Sequence, residues 1–278
     1  MIIIDLSQFL ISSVFASIGG QKNVEINEEL LRHILLNSIR TVKQKYKGHG
    51  NIVIACDDKN YWRKDIFPYY KAHRKKAREE SDVDWNAIFA ALEKFKIELK
   101  EYFPYKVIQV DRAEADDIVA VLTKHYHAEG ILIASSDKDY QQLQKYPRVT
   151  QYSPMTKKEL NCSYPERFLM EHIIKGDAGD GIPNCLSADN TFVMGLRQKP
   201  LTAKRIDAIS YDPSQVEENV KRNFFRNKQL IDFDLIPDYI EEQIIEQFEG
   251  QEYGDKRNLF NYFISHKLKN LMEAIGDF

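Results

Sequence analysis

Four runs of β-branched and aliphatic residues, at 1–4, 51–55, 106–110 and 130–134, interrupt the mixed polarity of the first half of the chain. Their apolar positions are nearly continuous rather than alternating, the pattern of strands buried on both faces of a parallel sheet. Stretches of helical period separate them. Residues 28–46 carry Leu31, Ile34, Leu35, Ser38, Ile39 and Val42 on one face, and residues 85–103 carry Ile88, Phe89, Leu92, Phe95, Leu99 and Tyr102. A third helix is expected over 116–127. This alternation predicts an α/β fold, a mostly parallel central sheet with helices on both faces. After about residue 160 the strand signals stop. Helices are expected there over 165–175, 201–209, 214–230, 239–249 and 257–271, as a smaller C-terminal helical domain. The predicted division is therefore an α/β core over 1–160 and a helical region over 161–278.

Composition narrows the class without changing this picture. The chain has 278 residues, 43% hydrophobic and 29% charged, with a mean hydropathy of -0.48. These are the proportions of an ordinary globular protein and not of a membrane bundle, a fibre or a disordered chain. The longest uncharged stretch, residues 6–21, holds four serines, two glutamines and two glycines, so it falls short of the ~20 apolar residues that a span requires. Asp5 precedes it, where a signal peptide would be positive. Cys56, Cys162 and Cys185 are odd in number and far apart, which argues against a disulfide framework and against a zinc site. A reducing, cytoplasmic setting is the expectation.

Charge is where the sequence becomes specific. The net charge of -3 hides a segment, residues 59–78, with eight Lys/Arg against Asp65 alone. A concentrated positive segment in an otherwise acidic chain points to a polyanionic partner. Tyr61, Trp62, Phe67, Tyr69 and Tyr70 are interleaved with these bases. Single-stranded bases stack on aromatic rings while Lys and Arg track phosphates, which is the use this mixture suggests. Eight like charges also repel one another, so the segment is expected to form no core and to order only when phosphates neutralise it.

The acids gather elsewhere. Asp5 ends the first strand, Asp57 follows the second, and Asp137 and Asp139 follow the fourth. Glu114, Asp116 and Asp117 open the helix after the third, and Asp177 and Asp180 share a Gly-rich loop. In open α/β sheets the carboxyl edge, where strand order reverses, is the ligand edge. Singly, each acid has a structural use: Asp111 with Glu114 fits a capping box, and Asp116 and Asp117 suit a helix N-terminus. All nine together repel unless cations neutralise them, and hard divalent ions with oxygen ligands answer that need. Two such ions support in-line phosphodiester hydrolysis.

These motifs, with residues 70–80, Tyr152-Ser153-Pro154-Met155 and Lys175-Gly176-Asp177, resemble the 5'-nuclease family nearly end to end. That family includes flap endonucleases and the 5'-exonuclease domains of bacterial DNA polymerases, and the similarity is greatest to its phage members. The resemblance implies a PIN-like nuclease core, with residues 59–80 as an arch over the active site and a duplex-binding helical region that completes the metal site. It implies two Mg2+, replaceable by Mn2+, with Asp5, Asp57, Glu114, Asp116 and Asp137 serving one ion. Asp139, Asp177 and Asp180 would serve the other, with Asp117 close by. Lys71 and Arg74 would contact the scissile phosphate beside the catalytic Asp137 and Asp139, Tyr70 would stack on the terminal base, and Arg63, Lys64, Lys75, Lys76 and Arg78 would contact phosphates. The implied activity is degradation of RNA from RNA–DNA hybrids and of DNA from duplex 5' ends, with flap or fork cutting, during lagging-strand replication. The implied actor is a monomer in the host cytoplasm, with a single-strand-binding protein and a sliding clamp as replication partners. Family members often carry a Gly-x-Gly turn that cradles duplex phosphate beside K+. Residues 182–189 lack it, which argues against K+ and shifts the duplex grip to Arg197, Lys199, Lys204 and Arg205.

Rival readings explain less. A haloacid dehalogenase-type phosphatase needs Asp-x-Asp on the first strand, whereas Asp5-Leu6-Ser7 lacks the second carboxylate. A non-catalytic nucleic-acid scaffold has no use for a full set of metal-binding acids. A small PIN-type endoribonuclease stops short of the helical extension.

Overall fold

The computed structural model, which describes residues 1–18 and 27–278, turns the four apolar runs into parallel strands and adds two more. The strands are β1 (Ile2–Asp5), β2 (Ile52–Ala55), β3 (Lys106–Ile108), β4 (Ile131–Ala134), β5 (Val149–Ser153) and β6 (Lys158–Leu160), in the order β3-β2-β1-β4-β5-β6. β1 to β5 run parallel, with Ile2 opposite Ile52 on one side and Leu132 on the other, and β6 returns antiparallel. Neither β5 nor β6 has a continuous apolar signal. β5 is half polar, and β6 is a three-residue Lys-Glu-Leu strand at the exposed edge, where charge guards against further pairing.

In chain order the helices are α1 (Leu6–Ile18), α2 (Glu28–Lys45), α3 (Arg63–Ile66), α4 (Arg74–Glu79), α5 (Trp85–Tyr102), α6 (Ala115–Tyr126), α7 (Pro165–Lys175), α8 (Ala203–Tyr211), α9 (Glu218–Ile231), α10 (Asp238–Gly250), α11 (Leu259–Ser265) and α12 (Lys269–Met272). Asn27 caps α2 by accepting from Leu30 N, and Asp84 caps α5 by accepting from Ala87 N. The uncharged stretch that opens at Leu6 is helix α1 as far as Ile18; its last positions, 19–21, lie outside the described residues. The helix expected over 257–271 is broken at Lys267, which adopts φ 54°, a left-handed conformation that ends α11. Phe89, expected on the buried stripe of α5, is exposed and stacks on Trp85. No described helix is long and apolar enough to cross a membrane.

The chain forms two compact units whose borders differ from the expected cut at residue 160. The first comprises Met1–Asp58, Asp84–Asn161 and Tyr239–Phe278. The last 40 residues pack on the sheet because they complete its polar and aromatic contacts. Lys106 Nζ donates to Phe248 O at 2.6 Å, and Gln109 N donates to Gln247 Oε1 at 2.8 Å. Phe103 meets Tyr262, Phe263 and Phe278 edge-on. Beneath them, buried Arg32 pairs with buried Glu98 at 2.7 Å, and the Tyr262 hydroxyl donates to Glu98 Oε2 at 2.6 Å.

The second unit comprises Lys59–Val83 and Cys162–Asp238. Here the basic segment departs from expectation. Phe67 and Tyr70 belong to a buried cluster with Ile173, Ile174, Ile182, Cys185, Ile209, Val220, Phe224, Leu230 and Ile231. The aromatics, not the bases, decide the local structure: burying several rings outweighs repulsion among cations whose heads remain in water.

Among the described residues, Glu98→Ala leaves the buried Arg32 guanidinium paired with a single acid, the exposed Glu28. It should lower stability by about 3–5 kcal/mol, against about 2 kcal/mol for Tyr262→Phe, which removes a hydroxyl that donates to Glu98 and accepts from Arg32 Nε. Urea unfolding midpoints of the two variants check the order; equal losses would show that the buried charge is compensated elsewhere.

Candidate metal centre and nucleic-acid interface

Strand order reverses between β1 and β4, and that is where the acids of the first unit meet. Asp5 ends β1 opposite Ala55 of β2, and the chain leaves β2 through Cys56 into Asp57. On the other side, β4 leaves through Ser135 and Ser136 into Asp137. Asp5 is only 4% exposed; its Oδ1 accepts from Gln8 N at 3.1 Å, and its Oδ2 lies 3.1 Å from the Tyr140 hydroxyl. The same hydroxyl donates to Asp116 Oδ1 at 2.6 Å, so Tyr140 bridges the two acids. Burial, and then the charges of Asp57 and Asp137, push the Asp5 carboxyl up to about 7, against the pull of the Gln8 amide and the Tyr140 hydroxyl. Burial and the surrounding acids push the Tyr140 hydroxyl far up as well, which keeps it a donor.

The α6 N-terminus anchors three more acids. Glu114 is its cap, and Asp117 completes a capping box with Asp117 Oδ2 accepting from Glu114 N at 2.9 Å. The box expected between Asp111 and Glu114 thus sits three residues later, and Asp111 is exposed. Asp57 Oδ1 accepts from Ala115 N at 2.9 Å, placing a strand-end acid on the positive end of the helix. Beyond β4, Asp137 Oδ1 accepts from Asp139 N at 3.0 Å and Asp137 N donates to Ser135 Oγ at 3.1 Å. Gln8 Oε1 accepts from Ser136 N at 2.8 Å, and Gln151 Nε2 donates to the carbonyls of Ser135 and Asp137. Gln8, Tyr140 and Gln151, absent from the sequence reading, fix the acids in place. No local spacing marks Tyr140, whose two partners lie 135 and 24 positions away.

The donor set fits a hard cation. Asp5, Asp57, Asp116 and Asp137 present oxygen, and the thiol of Cys56 beside them is buried and pushed up, so it keeps its proton. A divalent cation held there would offset the burial and the neighbouring charges that raise Asp5.

In the second unit, α7 ends at Gly176, with φ 67°, where a Cβ would stand 2.3 Å from Ile182 O. The turn so formed holds Asp177 against Ile182 in a two-residue bridge, with Asp177 Oδ1 accepting from Asp180 N at 3.2 Å. Buried His172, which the sequence reading did not single out, places Nε2 3.4 Å from Asp177 Oδ2. Asp180 Oδ2 accepts from the Tyr70 hydroxyl at 2.8 Å and lies 3.7 Å from Lys71 Nζ, while Asp180 Oδ1 pairs with Arg74 Nη2. Lys71 N donates to Asp180 O at 2.8 Å, and Lys71 adopts φ 56°, a left-handed conformation uncommon outside glycine. Asp180, expected as a metal ligand, is here the counter-charge of the two bases expected to meet the scissile phosphate.

Two expected nucleic-acid contacts, Tyr70 and Arg63, are corrected by burial. Tyr70 is core and its hydroxyl is used, so its ring has no face for a base. Arg63 is buried, donating to Leu230 O at 2.9 Å under the Trp62 ring. Arg205 pairs with Glu217. Lys64, Lys75, Lys76, Arg78, Arg197, Lys199 and Lys204 are exposed.

The comparisons agree with the topology. Residues 1–172 match the family described as 5'-3' exonuclease, N-terminal resolvase-like domain, and residues 163–278 match the family described as T4 RNase H, C terminal. The chain belongs to the 5'-3' exonuclease family. It is 37% identical to the ribonuclease H of Enterobacteria phage T4, over 99% of this chain and 95% of that protein. It is 30% identical to a flap endonuclease of Shewanella oneidensis, over 63% of this chain and 65% of that one. Among solved structures, the flap endonuclease of bacteriophage T5 in a pseudo-enzyme-product complex with DNA and metal ions shares the fold, with a TM-score of 0.62, 19% identity and coverage of 89% of this chain and 98% of that chain. A T5 protein of the same kind was crystallised with metal ions, at a TM-score of 0.60 and 18% identity over 88% of this chain and 98% of that one. The chain is thus a nuclease acting on phosphodiester bonds, with the 5'-nuclease sheet and helical C-terminal region that its motifs predicted.

Because the folded Asp5 carboxyl titrates near 7, above its ordinary 3.8, the metal-free native state keeps a proton that the unfolded chain has lost between about pH 4 and 7. Stability therefore falls as pH rises through that window. Asp5→Asn, measured by thermal unfolding in EDTA, should be slightly stabilising near pH 4, increasingly so up to pH 7, and level above. A gain that does not depend on pH would contradict a raised Asp5 carboxyl.

Proposed function

We propose that this nuclease removes nucleotides from 5' ends and cuts 5' flaps by metal-dependent hydrolysis, acting on RNA–DNA hybrids and on duplex or forked DNA. The removal of RNA primers and adjacent DNA during lagging-strand replication is the role that fits those substrates. The observation that carries this reading is the convergence of Asp5, Asp57, Asp116 and Asp137 on the switch point, where burial, and then the charges of Asp57 and Asp137, push the Asp5 carboxyl up to about 7. The relatives named ribonuclease H and flap endonuclease support the substrate class.

Asp5, Asp57, Glu114, Asp116 and Asp137 are assigned as the residues that hold Mg2+, or Mn2+ in its place, with Asp139 beside them. Two such ions, when bound, activate a water and neutralise the leaving oxygen. The chain's own residues do the positioning. Tyr140 and Gln8 orient Asp5, the α6 amides orient Asp57, and Gln151 holds the backbone of Asp137. Lys71 and Arg74 are assigned to the scissile phosphate, held in a fixed arrangement by Asp180. Lys64, Lys75, Lys76 and Arg78 are assigned to backbone phosphates, as are Arg197, Lys199 and Lys204 on the duplex side. Single-strand-binding protein and sliding clamp are the partners that such a replication role calls for.

Incubation with 5'-labelled hybrid, duplex and flap substrates, with magnesium or with EDTA, tests the reading. Shortening from the labelled end in magnesium, abolished by EDTA, is expected on all three; cleavage that persists in EDTA would overturn the metal-dependent mechanism. Asp137→Asn should reduce cleavage by about a thousandfold or more while retaining DNA binding, since the acid holds an ion and not the core. Lys71→Ala should lower the single-turnover rate about a hundredfold with little loss of affinity, because a charge aimed at the transition state is a small share of total binding. The opposite split would reduce Lys71 to a tether.

A further inference from the structure

Residues 193–196 form an exposed apolar tip whose side chains have no role in the core. Met194 is 64% exposed, Leu196 58% and Val193 39%, three large apolar side chains within four positions. The turn that presents them is tight. Met194 N donates to Asn190 O at 3.0 Å, Leu196 N donates to Thr191 O at 2.9 Å, and Gly195 takes φ 65° between them.

The base of this loop is stapled on both sides. Asn184 N donates to Gln198 Oε1 at 2.6 Å, Asn184 Nδ2 donates to Lys199 O at 2.9 Å, and Lys199 N donates to Ser187 Oγ at 2.8 Å. Asp189, just before the tip, pairs with Arg222 at 2.5 Å and with Arg226 of α9. Asn223 and Asn227 of the same helix donate to the carbonyls of Cys185, Ser187, Ile173 and Pro183. An apolar tip held this firmly is preorganised for a partner.

Charge identifies the partner. Arg197, Lys199 and Lys204 are exposed and have no ion-pair partner among the described residues, and no acid occurs between Asn190 and Ile206. Apolar side chains such as Leu and Met, inserted beside bases that take the flanking phosphates, are the means by which proteins wedge into the minor groove. We propose that Val193, Met194 and Leu196 form an apolar wedge that enters the minor groove of duplex DNA, with Arg197, Lys199 and Lys204 on the adjoining phosphates. The wedge rests on the nucleic-acid substrate proposed above and gives the duplex grip a part that counting charges misses.

Binding to a DNA duplex carrying 2-aminopurine, in EDTA so that no cleavage occurs, separates wedge from charge. Met194→Ser with Leu196→Ser should weaken binding about tenfold, as expected when two apolar side chains lose burial, and leave the salt slope unchanged. Arg197→Ala with Lys199→Ala should instead make the slope shallower by about one per lost contact. The wild type should raise the 2-aminopurine signal by unstacking, and the Met194/Leu196 variant should not. A Met194/Leu196 variant that binds and unstacks like the wild type overturns the wedge while leaving the nuclease reading intact, and makes the tip a protein-docking surface. A wild type that cleaves no 5'-ended substrate in magnesium overturns the reading on which the wedge rests. Both positions are exposed, so the variants keep the fold.

Discussion

Repulsion among carboxylates at a half-buried sheet edge is the constraint around which the first unit is built. β1 is isoleucine up to Asp5, so burying the strand forces a charge to its very end, and the neighbouring strands deliver Asp57 and Asp137 to the same place. Left alone, such a set would push its members neutral or push the strands apart. The protein meets part of the demand with neutral donors: the Tyr140 hydroxyl between Asp5 and Asp116, the Gln8 amide on Asp5, the Ala115 amide on Asp57 and the Glu114 amide on Asp117. What remains is the elevated Asp5, a cost that a divalent cation held at this edge would offset.

The second unit solves the opposite problem. Its bases need an acid, and Asp180 supplies it to Lys71, Arg74 and the Tyr70 hydroxyl together. The left-handed backbone at Lys71 is stabilised by the same residue, whose carbonyl accepts from Lys71 N. Strain of this kind is kept where surrounding contacts over-determine it. Lys71 is thereby held beside Asp180 through both its backbone and its side chain.

The strands and long helices were legible because burial on both faces and a 3.6-residue period leave marks on composition; β1 to β4 and α7 fall within a residue or two of their expected bounds. The acids were legible because charge at strand ends is conspicuous. What the chain hid was pairing at a distance. Nothing local in Tyr140, Gln8 or Gln151 says that they will hold the acids, and a polar strand such as β5 or β6 has no period to read. Tyr70 and Arg63 misled because a ring or guanidinium among bases looks exposed until its packing partners arrive from residues more than a hundred positions away. For the same reason the last 40 residues read as helices of the C-terminal region, though their partners lie on the sheet.

The central claim is that the acids at the β1–β4 switch point are a cation site. Diffraction from crystals soaked in Mn2+, collected at the manganese edge, tests it most directly. The account predicts anomalous density ligated by oxygens of Asp5, Asp57, Asp116 and Asp137, and its loss in Asp5→Asn. Density at other acids with none at this edge would contradict it.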